Sequence, residues 1–558
     1  MWKLHSKLSN NTGFLCFIWV LVFLLYLPAA SAGFTGDFTG WLDQVRSNSF
    51  WEFVNREHFS QKSLYQFTQA ATYFFYTIWG ANAWPWHLLH VSLHSINTLF
   101  LFVICRTIFE DSNVKNASGI AFCGAILFCI SPHLSEVIVW EPAYHFLQGL
   151  LFILIIIYWL QKFHHQPKAK YAWFAGIAFF LSIHSLEIFY ITPWLALALI
   201  VYHRLGLSWD KKISNKAILY FFIPLLCIFI FYLFEFRVVF GQWIAHVGSD
   251  VIIQAPVLSL GKPAKYLFHI LFLGRYFSFD IRHAVYAFCD STIGITLFYG
   301  FIIICVVYIV VQFRKLRGKG KAACLLVAWV LTTLALIFPL WFPDMMLVTA
   351  DRYTYFTNAF LYMLLALLFS FISSKYLKAS IFTLYALINI RFTIQVNRYW
   401  MKSARIIKHL LHSFPEPGNK ITVLLDLPDN MHGIPMIVAS SEGEFKLMLK
   451  LFVPEKKIQN NIYDVVGFNV ETPKDGAHVN VVNDSTIRVT LNQWGTWWWY
   501  NSFGATSYEN SDYKVNMIDE GHYYELSLKQ PRDKYFILFQ AGGEWKTVDW
   551  NKKNTAQY

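Results

Sequence analysis

Three histidines in WHLLHVSLHSIN, His87, His90 and His94, stand three and four residues apart, so on a helix they share one face. SPHLSEVIVWEP repeats the pattern with His133 and Glu136. Asp37 and Asp43 lie in GFTGDFTGWLD, His184 and Glu187 bracket a short polar break, and Asp351, Arg352 and Tyr353 follow one another in ADRYTYF. Lys262, Lys265, Arg275 and Arg282 are spread between two apolar runs. Carboxylates and imidazoles move protons, and guanidinium groups neutralise phosphate oxygens. Together they suit a reaction in which a hydroxyl loses a proton while a phosphate departs. Each group also has a plain structural reading. A histidine stripe can be a polar seam between packed helices, Asp351 and Arg352 a charge pair at a helix start, and Asp37, after Gly36, a turn residue. Lys262 and Lys265 can meet lipid headgroups.

The elements that must hold these groups are apolar. Of 558 residues 56% are hydrophobic and only 14% charged, against about 25% in soluble domains. That balance excludes a disordered chain, and eight Cys in this length do not make a disulfide scaffold. All eight precede residue 330. The net charge of +12 comes from Lys and Arg gathered beside apolar runs, which is topological charge rather than a surface for nucleic acid.

A spanning helix needs about 20 mostly apolar residues. On that criterion the chain is an all-α polytopic membrane protein with about eleven spans, beginning near Phe14, His87, Gly119, Phe146, Tyr171, Ile188, Ala217, Thr292, Ala323, Tyr355 and Ser380. Lys and Arg alternate between loops so that the amino terminus is cytoplasmic and the carboxyl terminus outside. Residues 1–398 then form the membrane domain, with a first outer loop at about 33–85 and a long outer loop at about 239–290. A short hairpin is centred on residues 185–187. Residues 399–558 read as an extracytoplasmic α+β domain, with strands at 420–425, 478–482, 486–490, 523–528 and 535–540 and a helix at 442–451. The first span has two readings: Ala30 and Ala32 resemble a signal cleavage site, while a retained anchor keeps Asp37 next to the bilayer. The expected setting is a bacterial inner membrane with the tail in the periplasm.

On this topology the polar groups collect at the outer ends of the spans, where unpaired charge is costly unless it lines a site. No nucleotide sugar is available there, so a donor must arrive activated, as a glycosyl polyprenyl phosphate does.

The same residues carry a resemblance. The chain resembles GT-C glycosyltransferases, the multi-spanning class that uses polyprenyl-phosphate sugars, and within it the membrane half of the tetratricopeptide-containing transmembrane O-mannosyltransferases and their bacterial relatives. WHLLHVSLHSIN is similar to a His-Leu-x-Asn-x-x-x-His-x-x-Asn stretch of that family at His87, His94 and Asn97, with His90 where Asn is usual. SPHLSEVIVW resembles His-Pro-x-His-x-Glu-x-Val-x-Trp at Pro132, His133, Glu136 and Trp140. ADRYTYFTNAF resembles Glu-Arg-Tyr-x-Tyr-x-Pro-Ser at Arg352, Tyr353 and Tyr355, with Asp351 for Glu. Two departures stand out. The paired acids after the first helix are here Gly36-Asp37, and the family's Ser-Lys-Glu is Ser185-Leu186-Glu187, which removes a cation. The tail lacks tetratricopeptide repeats, although LPDNMHGIPMI looks like a segment of related bacterial proteins.

The resemblance implies an inverting transfer of a mannose-like hexose to an acceptor hydroxyl on a protein, lipid or glycan, in a helical cavity open to the outer leaflet. It implies Asp37 as general base and Arg352, Tyr353, His184 and Arg275 around the donor phosphate. His87, His94, Asn97, His133, Glu136, Glu187 and Asp351 would then shape the pocket. A divalent cation is the one cofactor left open: Asp37, His133 and Glu136 can offer ligands, but imidazole-rich segments suit Mg²⁺ poorly, so no metal is assigned. Two other functions use the same groups, a transporter or lipid flippase and a transferase of acyl or phosphoryl groups. No internal repeat of the kind transporters show is present. The aromatic run Trp497, Trp498, Trp499 and Tyr500 can stack on sugar or pack at a core or interface.

Overall fold

The structure is a computed structural model that describes residues 2–35, 38–56, 64–206, 210–241, 243, 260–312, 316, 318–337, 351–437, 444–456, 462–470, 475–490, 497–499, 507–518 and 523–550. It divides into two compact units, residues 1–27 with 49–396 and residues 28–48 with 397–558.

Among the described residues six helices are long and apolar enough to cross a membrane: Thr12–Ala30, Ala83–Asp111, Glu141–His165, Glu187–Leu205, Lys211–Phe240 and Lys375–Ser413. Counting each of two bent pairs as one span makes eight. The chain is therefore a multi-pass membrane protein, but eleven crossings are not established. All eleven expected starts fall on helices, yet Ala169–Ile183, Gly318–Leu334 and Tyr355–Phe369 are only 15, 17 and 15 residues long. Counting about 20 residues from an apolar start overlooks the polar turns that shorten the helix, such as the 3-10 turn Asp351–Thr354 before Tyr355.

Both bends have local causes. Ala117–Cys129 and Pro132–Val139 meet at 55° because Pro132 has no N–H to continue the helix, and Ser131 before it takes extended backbone (φ −69°, ψ 129°). Asp280–Asp290 and Thr292–Tyr308 meet at 70°. There Ser291 is extended, and its Oγ accepts the N–H of Gly294 at 3.0 Å, a helix cap. Gly124 lets Ala117–Cys129 lie close against Tyr355–Phe369: a Cβ at that position would stand 3.0 Å from the Met363 Cα. The small residue brings the end of the bent span near the chain that starts with Asp351.

The second unit contains two sheets. One has the order β11-β10-β1-β3-β6, with β1 (Ile421–Met431) parallel to both β3 (Ile462–Val470) and β10 (Tyr535–Ala541). β6 (Trp497–Trp499) and β11 (Glu544–Thr547) close it on either side, and β2 (Ile434–Pro435) pairs with β1. The other sheet is β4-β5-β9-β8-β7, antiparallel where register is defined, from β4 (His478–Val481), β5 (Thr486–Thr490), β7 (Ser507–Glu509), β8 (Tyr513–Ile518) and β9 (Tyr523–Leu528). Helix Glu444–Phe452 lies between β1 and β3 in sequence, so the unit contains a parallel βαβ crossover within the expected mixture of helix and strand. The two sheets share a core that includes Leu424, Val466, Phe468, Val489, Val515 and Leu526. Residues 28–48 belong to this unit: helix Phe38–Ser47 buries Phe38, Leu42 and Val45, Phe34 stacks on Phe452, and Asp43 accepts from Lys450 Nζ at 2.8 Å.

Asp426 sits in the middle of β1, fully buried, with the Gln540 N–H donating to its Oδ1 at 2.7 Å. Burial pushes its carboxyl up to about 8, outweighing the backbone N–H groups that favour the charge. The unfolded carboxyl ionises near 3.9, so between about pH 4 and pH 8 the folded state holds a proton that the unfolded state has lost. Stability then falls by up to about 1.4 kcal/mol per pH unit across that window as pH rises, and levels off above it. Asp426→Asn should remove the slope. Thermal unfolding of the full-length chain should show a larger gain from Asp426→Asn at pH 8 than at pH 5, and equal gains would contradict this environment.

Candidate functional site

The histidine-bearing helix Ala83–Asp111 is tied to its neighbours through its polar face. His90 Nδ1 donates to the Val137 carbonyl at 3.1 Å, which ties it to the bent segment. His94 Nδ1 pairs with the Tyr355 hydroxyl at 3.0 Å, and Asn97 Nδ2 donates to the same hydroxyl at 3.1 Å and to the Leu147 carbonyl at 2.8 Å. His87 is buried one turn earlier, with its ring stacked at 6.3 Å from Trp84. These contacts make the polar seam that the spacing allows, and the seam holds Tyr355 four residues from Asp351.

Past the Pro132 break, His133 lies in the turn Pro132–Leu134 and Glu136 in helix Ser135–Val139, both buried. Glu136 receives Arg352 twice. The backbone N–H of Arg352 donates to Oε2 at 2.8 Å, and its Nη1 pairs with Oε1. The guanidinium carbon stands 5.1 Å over Trp140 and 4.9 Å over Tyr353, within cation–π range of both. Tyr353 packs edge-on against Phe146 at 5.5 Å. Asp351 is the second hub: His269 Nε2 lies 2.6 Å from its Oδ1, and Arg275 Nη1 donates to its Oδ2 at 2.6 Å. His133 Nδ1 stands 3.5 Å from Oδ2, too long for a good hydrogen bond, and the His133 and His269 rings face each other at 4.7 Å.

Two carboxylates therefore meet two guanidiniums, so the cluster is balanced before any imidazole is counted. The four charged groups differ in access. The Arg352 side chain is 21% exposed, whereas those of Asp351, Glu136 and Arg275 are 0, 3 and 4% exposed. Burial pushes the His269 imidazole down to about 4 in spite of Asp351, so near neutrality it is an uncharged ring donating Nε2–H to the carboxylate.

His269 was not among the residues singled out from the sequence. Its signal was available: Lys262, Lys265, Tyr266, His269 and Ile270 recur at helical spacing, and in helix Lys262–Leu271 that largely polar face is the buried one. Lys265 Nζ pairs with Asp290 rather than standing out toward lipid headgroups. Arg275 follows at the turn Gly274–Tyr276, after Leu273 adopts left-handed backbone at φ 56°.

Of the remaining expected site residues, His184 is held by partners of its own and Glu187 reaches one member of this cluster. Both ring nitrogens of His184 are engaged, Nδ1 with the Phe180 carbonyl at 2.8 Å and Nε2 with Glu235 Oε2 at 2.9 Å, which leaves neither for a phosphate. Glu235 is a partner the sequence reading did not identify. Glu187 is buried at the start of the turn Glu187–Ile191, within electrostatic reach of Tyr353. Asp37 lies outside the described residues. So do the side chains of Trp497, Trp498 and Trp499, and all of Tyr500.

No family model and no curated protein matches the chain. Solved structures do. The Archaeoglobus fulgidus oligosaccharyltransferase in its apo form aligns with a TM-score of 0.42 at 12% identity, over 78% of this chain and 63% of the archaeal one, so the chain spans less than two thirds of that enzyme. AglB from the same organism, in complex with an inhibitory peptide and a dolichol-phosphate, aligns with a TM-score of 0.40 at 12% identity, over 86% of this chain and 74% of AglB. ArnT from Cupriavidus metallidurans, bound to undecaprenyl phosphate, aligns with a TM-score of 0.30 at 12% identity, over 82% and 93%. These structural neighbours are GT-C glycosyltransferases.

Proposed function

We propose that the chain is a membrane glycosyltransferase that takes a hexose of the mannose type from a polyprenyl-phosphate donor and passes it, with inversion, to an acceptor hydroxyl on the extracytoplasmic face. The observation that carries this reading is the accessibility of Arg352 beside a buried, charge-balanced cluster. An arriving phosphate can compete with Glu136 for a guanidinium that is already oriented by its own backbone N–H and by two aromatic faces. Fixed positive charge at that point stabilises the phosphate as the glycosidic bond breaks, and it needs no reorganisation at the moment of reaction. The more deeply buried Arg275 holds Asp351 and so keeps the segment from Asp351 to Tyr355 in place.

The reaction also needs a carboxylate to take the proton of the acceptor hydroxyl, and Asp37 is assigned that role. The two reacting partners would then be a lipid-linked sugar and a protein, lipid or glycan acceptor. The test is transfer of labelled hexose from polyprenyl phosphate by the purified chain in lipid. Asp37→Asn should abolish transfer while leaving insertion and thermal unfolding unchanged. Full activity in that variant would remove Asp37 as base, and transfer from acyl donors alone would remove the glycosyl reading.

A further inference from the structure

From the convergence of His133, His269 and Asp351, we infer that these three side chains form a binding site for a single first-row transition-metal dication, Zn²⁺ foremost. Their candidate ligand atoms all lie within 4.8 Å of one another, and all three residues are buried. The inference is independent of the transferase reading, because it concerns which ion these side chains hold and not what the chain transfers.

Three observations point the same way. First, neither ring nitrogen of His133 makes a hydrogen bond, although the residue is fully buried. Leaving a buried polar group unsatisfied costs about 1–3 kcal/mol, and a metal bound to the neutral imidazole supplies the missing partner. Second, the spacing is near that of a ligand set. Bonds of about 2.0–2.1 Å to a tetrahedral ion put neighbouring ligand atoms roughly 3.3 Å apart. His133 Nδ1 is 3.5 Å from Asp351 Oδ2 and His269 Nε2 is 2.6 Å from Oδ1, the other oxygen of the same carboxylate. Admitting the ion therefore takes a turn of that carboxylate, some tenths of an ångström of opening at His269, and a shift of the His269 proton from Nε2 to Nδ1, which is buried without a partner. Third, Arg275 donates to one oxygen of Asp351, the outer-shell contact by which ligating carboxylates are commonly oriented.

Two imidazoles and one carboxylate are the donor set of many zinc sites and suit Mg²⁺ and Ca²⁺ poorly, since those ions prefer oxygen ligands. Three protein ligands leave a fourth position for water or an oxygen of a bound molecule. This set shares His133 with the ligands considered from the sequence but replaces the other two: Glu136 is committed to Arg352, whereas Asp351 faces both histidines.

The test uses the full-length chain in detergent, stripped with chelator and then equilibrated with Zn²⁺, Co²⁺ or Mg²⁺. One Zn²⁺ should be retained per chain after desalting, Co²⁺ should give the intense d–d absorption of a tetrahedral site, Mg²⁺ should wash out, and Zn²⁺ should raise the unfolding temperature. His133→Asn and His269→Gln should each weaken binding beyond the roughly 100-fold ceiling of an outer-shell change and abolish the Co²⁺ bands. A folded wild-type chain without a tetrahedral Co²⁺ spectrum overturns the proposal, and that measurement decides even if the variants do not fold. Unchanged retention in both variants overturns it as well, because the ion would then reside elsewhere.

Discussion

Arg352→Ala is expected to reduce transfer from a polyprenyl-phosphate donor by about 10²–10³-fold, the loss that follows removal of one preorganised group stabilising transition-state charge, or about 2.7–4 kcal/mol. The same substitution has a second consequence that must be separated from the first. Glu136 is buried and takes both the guanidinium and the backbone N–H of Arg352. Without the guanidinium it becomes an uncompensated buried carboxylate, at a stability cost of about 3–5 kcal/mol. The double variant Glu136→Gln with Arg352→Ala should recover most of the unfolding temperature but none of the transfer. Arg352→Lys should keep the protein folded and recover only part of the rate, because an ammonium lacks the planar fork that can grip a phosphate at two points. Transfer at the wild-type rate in Arg352→Ala would exclude Arg352 from the donor phosphate.

Asp351→Ala is expected to act chiefly on stability. Its carboxylate accepts from Arg275 and His269, and the Arg275 guanidinium is left buried when it goes. Breaking one side of a buried ion pair costs about 3–5 kcal/mol, while replacing both partners with apolar groups of similar volume is often close to neutral. Asp351→Leu with Arg275→Met should therefore be more stable than Asp351→Ala alone, measured as unfolding temperature in the same detergent. Equal stability of Asp351→Ala and the unaltered chain would be incompatible with the buried pairing described above.

Sequence reasoning reached the parts of the site in which short-range spacing encodes position. His133 with Glu136, and Asp351 with Arg352, are visible because each pair is local. Their meeting across the fold, Glu136 paired with Arg352 and Asp351 set beside His133, is not visible in either segment alone. His269 escaped because the long outer segment was read for cations, although the recurrence of Lys262, Lys265, Tyr266 and His269 already described a helix with one polar face. In the tail the alternating strands β4, β5 and β9 were legible because one face of each is more buried than the other. β1 extends to Met431, six residues beyond the expected stretch, and β3 was not anticipated. Both are interior strands, parallel to each other and buried on both faces, so alternation is lost, and Asp426, Pro428 and Asn430 interrupt the apolar run of β1. The number of crossings is not fixed by the same signal, because hydropathy registers apolar content but not the turn at Pro132 or the polar start of the segment after Asp351.

The ion pair between Glu136 and Arg352 joins residues 216 positions apart in the chain. At ordinary synthesis speeds of about 5–20 residues per second, the acid emerges roughly 10–40 s before its guanidinium exists. During that interval the bent third apolar segment must wait either protonated or in contact with water. A ribosome-stalled chain ending before residue 351 should therefore hold that segment less firmly in the bilayer than the finished protein does, which makes this single pairing a late latch in biogenesis.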